Sequence, residues 1–343
     1  MYYLPTSIIF FSYSIITLIY IIKNKKKKIE KHLFINEILF VLLLLNAGIL
    51  FPFMYKFHSP YLSLELLNLL WFYSSFIFLI EMGIWGTTLI YNSIISRRNS
   101  EIMAERDYLK YREEVNKNWV DDLKGEYGRK FLHLFTCSVI FIFWTLGTFL
   151  GDLGVLTKFG LDTYSFAYWW IITVGFAFVF MFQIADLTRL NKFYMLPNWA
   201  RKWYLSMRPK ELDTFIASTA LVLSFVPFVF APFPIFAAVA LIATAADGAA
   251  CIIGKKYGKH TLKKNSKKTM EGFFAGGIST FLIVCLIMFL YYPWILIGIE
   301  KILFMAFFAT ILFLIIDYFT VFLSDNILNP IFIGFAMWII FLI

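Results

Sequence analysis

Gly272-Phe-Phe-Ala-Gly-Gly-Ile-Ser-Thr-Phe-Leu-Ile-Val-Cys-Leu-Ile-Met-Phe-Leu-Tyr-Tyr292 carries no charged side chain from end to end. A run of roughly 20 such residues crosses about 30 Å of hydrocarbon when it is helical. Lipid offers no partner to a free backbone N–H or C=O, so only helices and closed barrels cross it, and this run lacks the every-second-residue alternation of a barrel strand. Working outward, comparable runs occupy 4–22, 33–53, 65–93, 131–150, 164–185, 213–231, 234–253, 300–319 and 326–343. Together they predict an all-α, polytopic transmembrane helical bundle of about ten spans.

Composition agrees. Of 343 residues, 60% are hydrophobic and 15% charged, against about 25% charged in a soluble domain, and mean hydropathy is +0.74. The net charge of +9 sits in loops beside spans. Orientation signals and anionic headgroups account for it there, so the lipid bilayer is the expected partner and nucleic acid is not. With the N-terminus outside, loops 23–32, 94–130, 186–212, 254–271 and 320–325 fall inside and hold 28 of the 31 Lys and Arg, leaving only Lys56, Lys158 and Lys301 outside. That distribution places both termini outside and the polar loops on the cytoplasmic side, in a plasma membrane or endoplasmic reticulum. The opening Met-Tyr-Tyr-Leu-Pro-Thr-Ser has neither a basic n-region nor a small-residue cleavage site, so the first run reads as a retained span.

Three regions follow: a three-span region over 1–95, a cytoplasmic amphipathic segment over 96–128, and a membrane domain over 129–343 that carries the chemistry. In the middle segment Tyr108, Tyr111, Val115, Trp119, Leu123 and Tyr127 recur at three or four, which predicts a helix either lying on the inner leaflet or packed on the bundle. The basic run Lys25 to Lys28 reads as a topology anchor.

Charged groups at the ends of apolar helices are costly, so those that persist are functional candidates. Asp247 stands in an Ala- and Gly-rich run about two turns before a span ends, where a carboxylate suits Mg²⁺ bound to a nucleotide phosphate; its plain alternative is an Asp paired with a lysine. Gly254-Lys-Lys-Tyr-Gly258-Lys259 falls short of a Walker A loop, with three residues between its glycines and His260 in place of Ser or Thr. Lys267 and Lys268 precede a helix N-terminus, where point charge and free N–H groups together suit polyphosphate, while Glu271 in the first turn can simply complement the helix dipole. Arg129, Lys130 and His133 share a face at another span end, and His133 can serve as a base or hold phosphate. Asp325 in Ser324-Asp325-Asn326 also suits a helix cap.

Taken together, these stretches resemble a known family. Asp247-Gly-x-Ala, then Gly254 and Gly258, then Lys267-Lys268-Thr269-x-Glu271-Gly272 resembles the signature of CTP-using membrane lipid kinases, a group including dolichol or polyprenol kinase, phytol kinase and CTP-dependent diacylglycerol kinase. The same stretch is similar to phosphatidate cytidylyltransferase. Arg129-Lys130-x-x-His133, Arg208-x-Lys210-Glu211 and Asp325-Asn326-Ile-Leu-Asn-Pro330 are similar to three further kinase elements, and the resemblance covers roughly 125–335. Glu271 is closer to the dolichol kinase form of the motif.

The resemblance implies transfer of the CTP γ-phosphate to an isoprenoid lipid alcohol. It implies Mg²⁺ on Asp247; Lys267 and Lys268 with Lys255 or Lys259 on the phosphates; Arg129, Lys130, Arg208, Glu211, Gly254, Gly258, Thr269 and Asn326 around the nucleotide; and His133, Asp325 or Glu271 as base. Diacylglycerol, phytol or cytidylyl transfer remain alternatives, as does a transporter or scaffold, and a homodimer is admitted.

Overall fold

Long apolar runs become long helices because each backbone group then finds its partner within the segment. The computed structural model describes residues 1–24, 31–120, 123–264, 268–319 and 323–343; the side chains of 31–33, 123–125, 129, 132, 206 and 210 fall outside that description, as does the run Lys25 to Lys28. In chain order the helices are α1 Leu4–Asn24, α2 Lys31–Phe57, α3 Leu64–Arg98, α4 Ser100–Glu105, α5 Tyr108–Asn118, α6 Leu123–Asp152, α7 Val155–Lys158 and α8 Thr163–Lys192. They continue as α9 Asn198–Trp203, α10 Ala217–Ser224, α11 Phe233–Leu241, α12 Asp247–Tyr257, α13 Met270–Leu290, α14 Ile299–Phe319, α15 Asp325–Leu328 and α16 Gly334–Leu342. Nine helical stretches among the described residues are long and apolar enough to cross a membrane. The chain is an all-α, multi-pass membrane protein.

The span expected over 213–231 is shorter than anticipated: its helical part is Ala217–Phe230, about 21 Å long at 1.5 Å per residue. The cause is α8. Buried Arg189 forms an ion pair with Asp186 and donates to the carbonyls of Leu212 and Thr214, while Asp186 Oδ2 accepts the Ile216 N–H at 2.6 Å. The connection is thereby drawn well inside the end of α8, and α10 starts deep. It still reaches the far end, where His58 after α2 donates Nε2–H to the Val229 carbonyl at 2.9 Å.

The expected amphipathic segment is two short helices rather than one, and the boundary at 128/129 falls inside α6. Arg106 separates α4 from α5, which Asp107 caps through the N–H groups of Leu109 and Lys110, and the pattern itself divides where α5 ends at Asn118 and α6 begins at Leu123. Its apolar side packs on protein: Tyr111 and Val115 are buried with Phe193, Tyr204 and Leu212, and the Tyr108 hydroxyl donates to the Leu212 carbonyl at 2.9 Å. Of the two readings the sequence left open, the structure adopts the packed one.

Contacts between Ser96 and Tyr194, Arg208 and Glu126, Lys268 and Asp317, and Ser324 and Asn36 gather the basic connections at one end of the bundle. Ser59, Asp162, Trp144 and Trp294 mark the other.

Candidate functional site at the basic end of the bundle

Glu126, Lys130, His133 and Cys137 recur at three or four residues along α6 and so share one face. Thr244, Asp247, Cys251 and Lys255 do the same along the rod that ends in α12. The two helices meet as an antiparallel polar seam. From its deep end outward, Cys137 Sγ meets Thr244 Oγ1 at 3.0 Å, Lys130 pairs with Asp247, the Cys251 thiol points to Glu126 Oε2 at 3.7 Å, and Lys255 Nζ donates to Glu126 Oε1 at 3.2 Å. Arg208, from the α9–α10 connection, adds a second cation on Glu126 Oε1 at 2.6 Å. Burial works against the Arg208 charge, but the hydrogen bond and charge of Glu126 outweigh it and hold that guanidinium above its ordinary value.

A turn of π-helix, Ile242–Ala246, directly precedes Asp247, and a second, Asn329–Ile333, follows α15, which carries Asp325. Each widened turn holds an extra residue and so resets the facing of its helix; such turns often mark functional positions. Asp325 lies within electrostatic reach of Asp247, Lys130 and Lys268, and Asp247 within reach of buried His133 and of Lys268. Lys268 Nζ donates to both the carboxylate and the backbone carbonyl of Asp317 at 2.7 Å.

The connection from α12 to α13 is a tight hairpin. Leu262 N–H donates to the Lys268 carbonyl and Met270 N–H to that of His260, each at 2.8 Å. Thr269 caps α13, its hydroxyl accepting the Gly272 N–H at 3.3 Å and donating to the Gly254 carbonyl at 3.4 Å. A Cβ on Gly272 would lie 2.5 Å from the Ala250 carbonyl oxygen, and one on Gly258 would overlap the Gly254 carbonyl. Close approach of α12 and α13 therefore accounts for these glycines without a ligand.

Of the residues singled out in the sequence, Lys130, His133, Asp247, Lys268 and Asp325 come together. Arg208 and Lys255 meet on Glu126, one turn of α6 nearer the end than Lys130. Glu271 is elsewhere: it faces outward, accepting from His260 Nδ1 at 2.8 Å and from the His260 N–H. Lys259 is exposed, and Glu211 turns back to accept the Arg208 N–H at 3.2 Å. Asn326 ties α15 to α10 through its carbonyl, which accepts from Ser224 Oγ at 3.2 Å. Lys267 and the side chain of Arg129 lie outside the described residues.

Three acids escaped the sequence reading. Glu126 had been grouped with the amphipathic segment, although its spacing of four from Lys130 was the available signal. Asp317, near the end of α14, is the partner of Lys268. Glu81, half-buried midway along α3, interrupts an otherwise apolar run. No family model, curated protein or solved structure matches the chain.

Proposed function

We propose that this chain is a phosphotransferase that moves the γ-phosphate of CTP to the hydroxyl of a membrane lipid alcohol of the isoprenoid kind, with dolichol or polyprenol as type, yielding CDP and a lipid monophosphate. The observation that carries this reading is the meeting of Lys130, Lys268, Asp247 and Asp325, with Lys255 and Arg208 gathered on Glu126 beyond them, at the end of an antiparallel helix seam. CTP as donor rests on the resemblance of the Asp247–Gly272 stretch.

Phosphoryl transfer asks little of the protein beyond positioning and neutralising spread negative charge. Lysines at the end of apolar helices supply that charge at headgroup depth, where a lipid hydroxyl lies. The described residues contain no group of three or more acids, histidines or cysteines placed to hold a metal by themselves. Two neighbouring carboxylates fit magnesium of the kind held by one or two acids and by phosphate oxygens: Asp247 and Asp325 would hold it, and it would supply further neutralisation of the phosphates. Lys130 and Lys268 orient the triphosphate, and Arg208 and Lys255 receive its outer part.

The lipid hydroxyl oxygen forms a bond to the γ-phosphorus while the bond to the β–γ bridging oxygen breaks. CDP leaves with that electron pair, and the hydroxyl proton passes to His133.

The test incubates purified protein with γ-labelled CTP or ATP and a panel of polyprenols, phytol and diacylglycerol. Label in a polyprenyl monophosphate, lost in Asp247→Ala, is the expected result. Labelled cytidine in the lipid product would replace this reading with cytidylyl transfer.

One observation favours a different class. Two helices broken by π turns beside acids, with Glu81 half-buried midway along α3, are also what a transporter uses. Glu81 separates the two, since the phosphotransferase reading gives it no role.

A further inference from the structure

A furrow of about 620 Å³ runs along the lipid-facing side of the bundle, between α2 and the last helix. Leu39, Leu43 and Asn46 form one wall, and Ile327, Ile331 and Trp338 the other. Its two ends differ in chemistry. At the basic end the furrow starts at Ile327, in the same helical turn as Asp325, and the Asn36 side chain accepts the Ser324 N–H at 2.8 Å, so α2 is fastened to the carboxylate cluster. At the far end Phe230, Phe335 and Trp338 close it, the last two stacked 6.2 Å apart. The π turn at Asn329–Ile333, with Pro330 inside it, lies in the wall. A proline removes a backbone donor and displaces the preceding turn, which bends the helix and opens the furrow.

The geometry points to this furrow as the seat of the acceptor's hydrocarbon chain, and to an acceptor with a single chain, as an isoprenoid alcohol has, rather than a two-chain diacylglycerol. The inference rests on the phosphotransferase reading and gives its acceptor a seat. Three observations commit the occupant. The furrow lies at the depth where hydrocarbon is the surrounding medium, so a lipid is what fills it. Its inner end opens beside Asp325, so a chain lying in it carries its first polar group to the acids and lysines. Two adjacent helices leave one channel, which takes one chain and excludes a second.

Length adds a further constraint. Ile327 to Trp338 and Leu39 to Leu50 each span eleven residue steps, about 16 Å at 1.5 Å per residue, roughly half of the 30 Å hydrocarbon thickness. The furrow therefore holds only the first part of a long chain. Because lipid tails are as apolar as the walls, burial there adds little net attraction. What the furrow provides is alignment of the hydroxyl.

The experiment places the full chain in phosphatidylcholine vesicles with a photoactivatable, diazirine-bearing polyprenol and maps the labelled peptides. The same preparation is assayed for phosphate transfer with polyprenols of increasing length. Two variants fill the furrow from half-exposed or exposed positions, Asn46→Trp and Leu42→Trp, so that loss of folding in one leaves the other.

The expected result is labelling of 39–50 and 327–338 that falls at least tenfold in both variants and is competed by polyprenol but not by diacylglycerol. KM for the acceptor falls with chain length until about 16 Å is filled and is flat beyond it, while KM for CTP is unchanged in the variants. Labelling spread evenly over the spans, or undiminished by either tryptophan, overturns the furrow. Equal phosphate transfer by wild type and both variants also overturns it while leaving the phosphotransferase reading standing. Specific labelling without any phosphate transfer keeps the furrow and removes that reading.

Discussion

Lys130 and Asp247 are each only about one-seventh exposed, at 14% and 15%, so neither charge is well solvated without the other. Removing one partner of a buried pair leaves an uncompensated charge and costs about 3–5 kcal/mol, whereas replacing both with neutral groups of similar shape is often neutral. Lys130→Met should lower the unfolding free energy in detergent by about 3 kcal/mol, and adding Asp247→Asn should restore most of it. Activity should be absent from both, because the site needs the charges and the fold does not. Glu81 predicts the reverse. A carboxylate between spans is costly, so Glu81→Leu should raise stability by about 1–3 kcal/mol while leaving phosphate transfer intact; loss of function without loss of stability would favour transport instead. His58 gives a pH signature. Burial lowers its pKa, the Val229 and Ala231 carbonyls and Asp162 only partly opposing that. The folded protein then binds fewer protons at His58 than the unfolded chain, so its contribution is complete above the unfolded pKa, about 6.5, and is lost as pH falls below it. Thermal melting should drop between pH 7 and 5.5 by more in wild type than in His58→Gln, and equal drops would contradict the assignment.

At the scale of elements, helix existence was legible wherever an uninterrupted apolar run met the thickness of a bilayer, as in α13 and α14. The length of α10 was not, because what shortens it is Arg189 and Asp186 on another helix, drawing in the carbonyls of Leu212 and Thr214. Nor were the π turns: Ile242-Ala-Thr-Ala-Ala246 has the composition of any tightly packed α-helix. The periodicity of 108–127 was visible but continuous, whereas α5 ends at Asn118 and Leu123 onward belongs to α6; capping by Asp107 fixes where α5 starts, and burial of Tyr111 against Phe193 fixes what it packs on. For the site, Asp247, Lys130, His133, Lys268 and Asp325 were readable as charges at span ends. The pairing of Glu271 with His260 was not readable, because it spans a connection whose register a single sequence does not show. The π turn before Asp247 makes an element-level prediction. Deleting Ala245 returns the turn to α and rotates all that follows by about 100°, carrying Asp247 away from Lys130. Phosphate transfer should fall by at least a hundredfold, and full activity in the deletion would show that the widened turn has no part in aiming the carboxylate.

For the whole molecule, one asymmetry organises everything: basic connections and the acid–lysine cluster at one end, an aromatic nest at the other. On the proposed function, such a bundle would bring a water-soluble phosphate donor and a bilayer-dissolved alcohol together at one depth, the first from the basic end and the second sideways between helices. The positive-inside pattern predicts that the basic end faces the cytoplasm. Cysteines introduced at Lys202 and Lys256 should then react with a membrane-impermeant thiol reagent only when the cytoplasmic face is open, and cysteines at Lys56 and Lys158 only from the opposite side; the inverse pattern would turn the orientation over. The central claim is that Lys130, Lys268, Asp247 and Asp325 share one magnesium-bound triphosphate. A ligand that binds only the folded state stabilises it by about 2.7 kcal/mol at a hundredfold excess over its dissociation constant. The most direct measurement is therefore the melting temperature of the purified chain with CTP, with and without Mg²⁺, in wild type and in the stability-matched Lys130→Met/Asp247→Asn variant. A rise of several degrees that requires Mg²⁺ and disappears in the variant is the predicted result; no rise, or an equal rise in the variant, would contradict it.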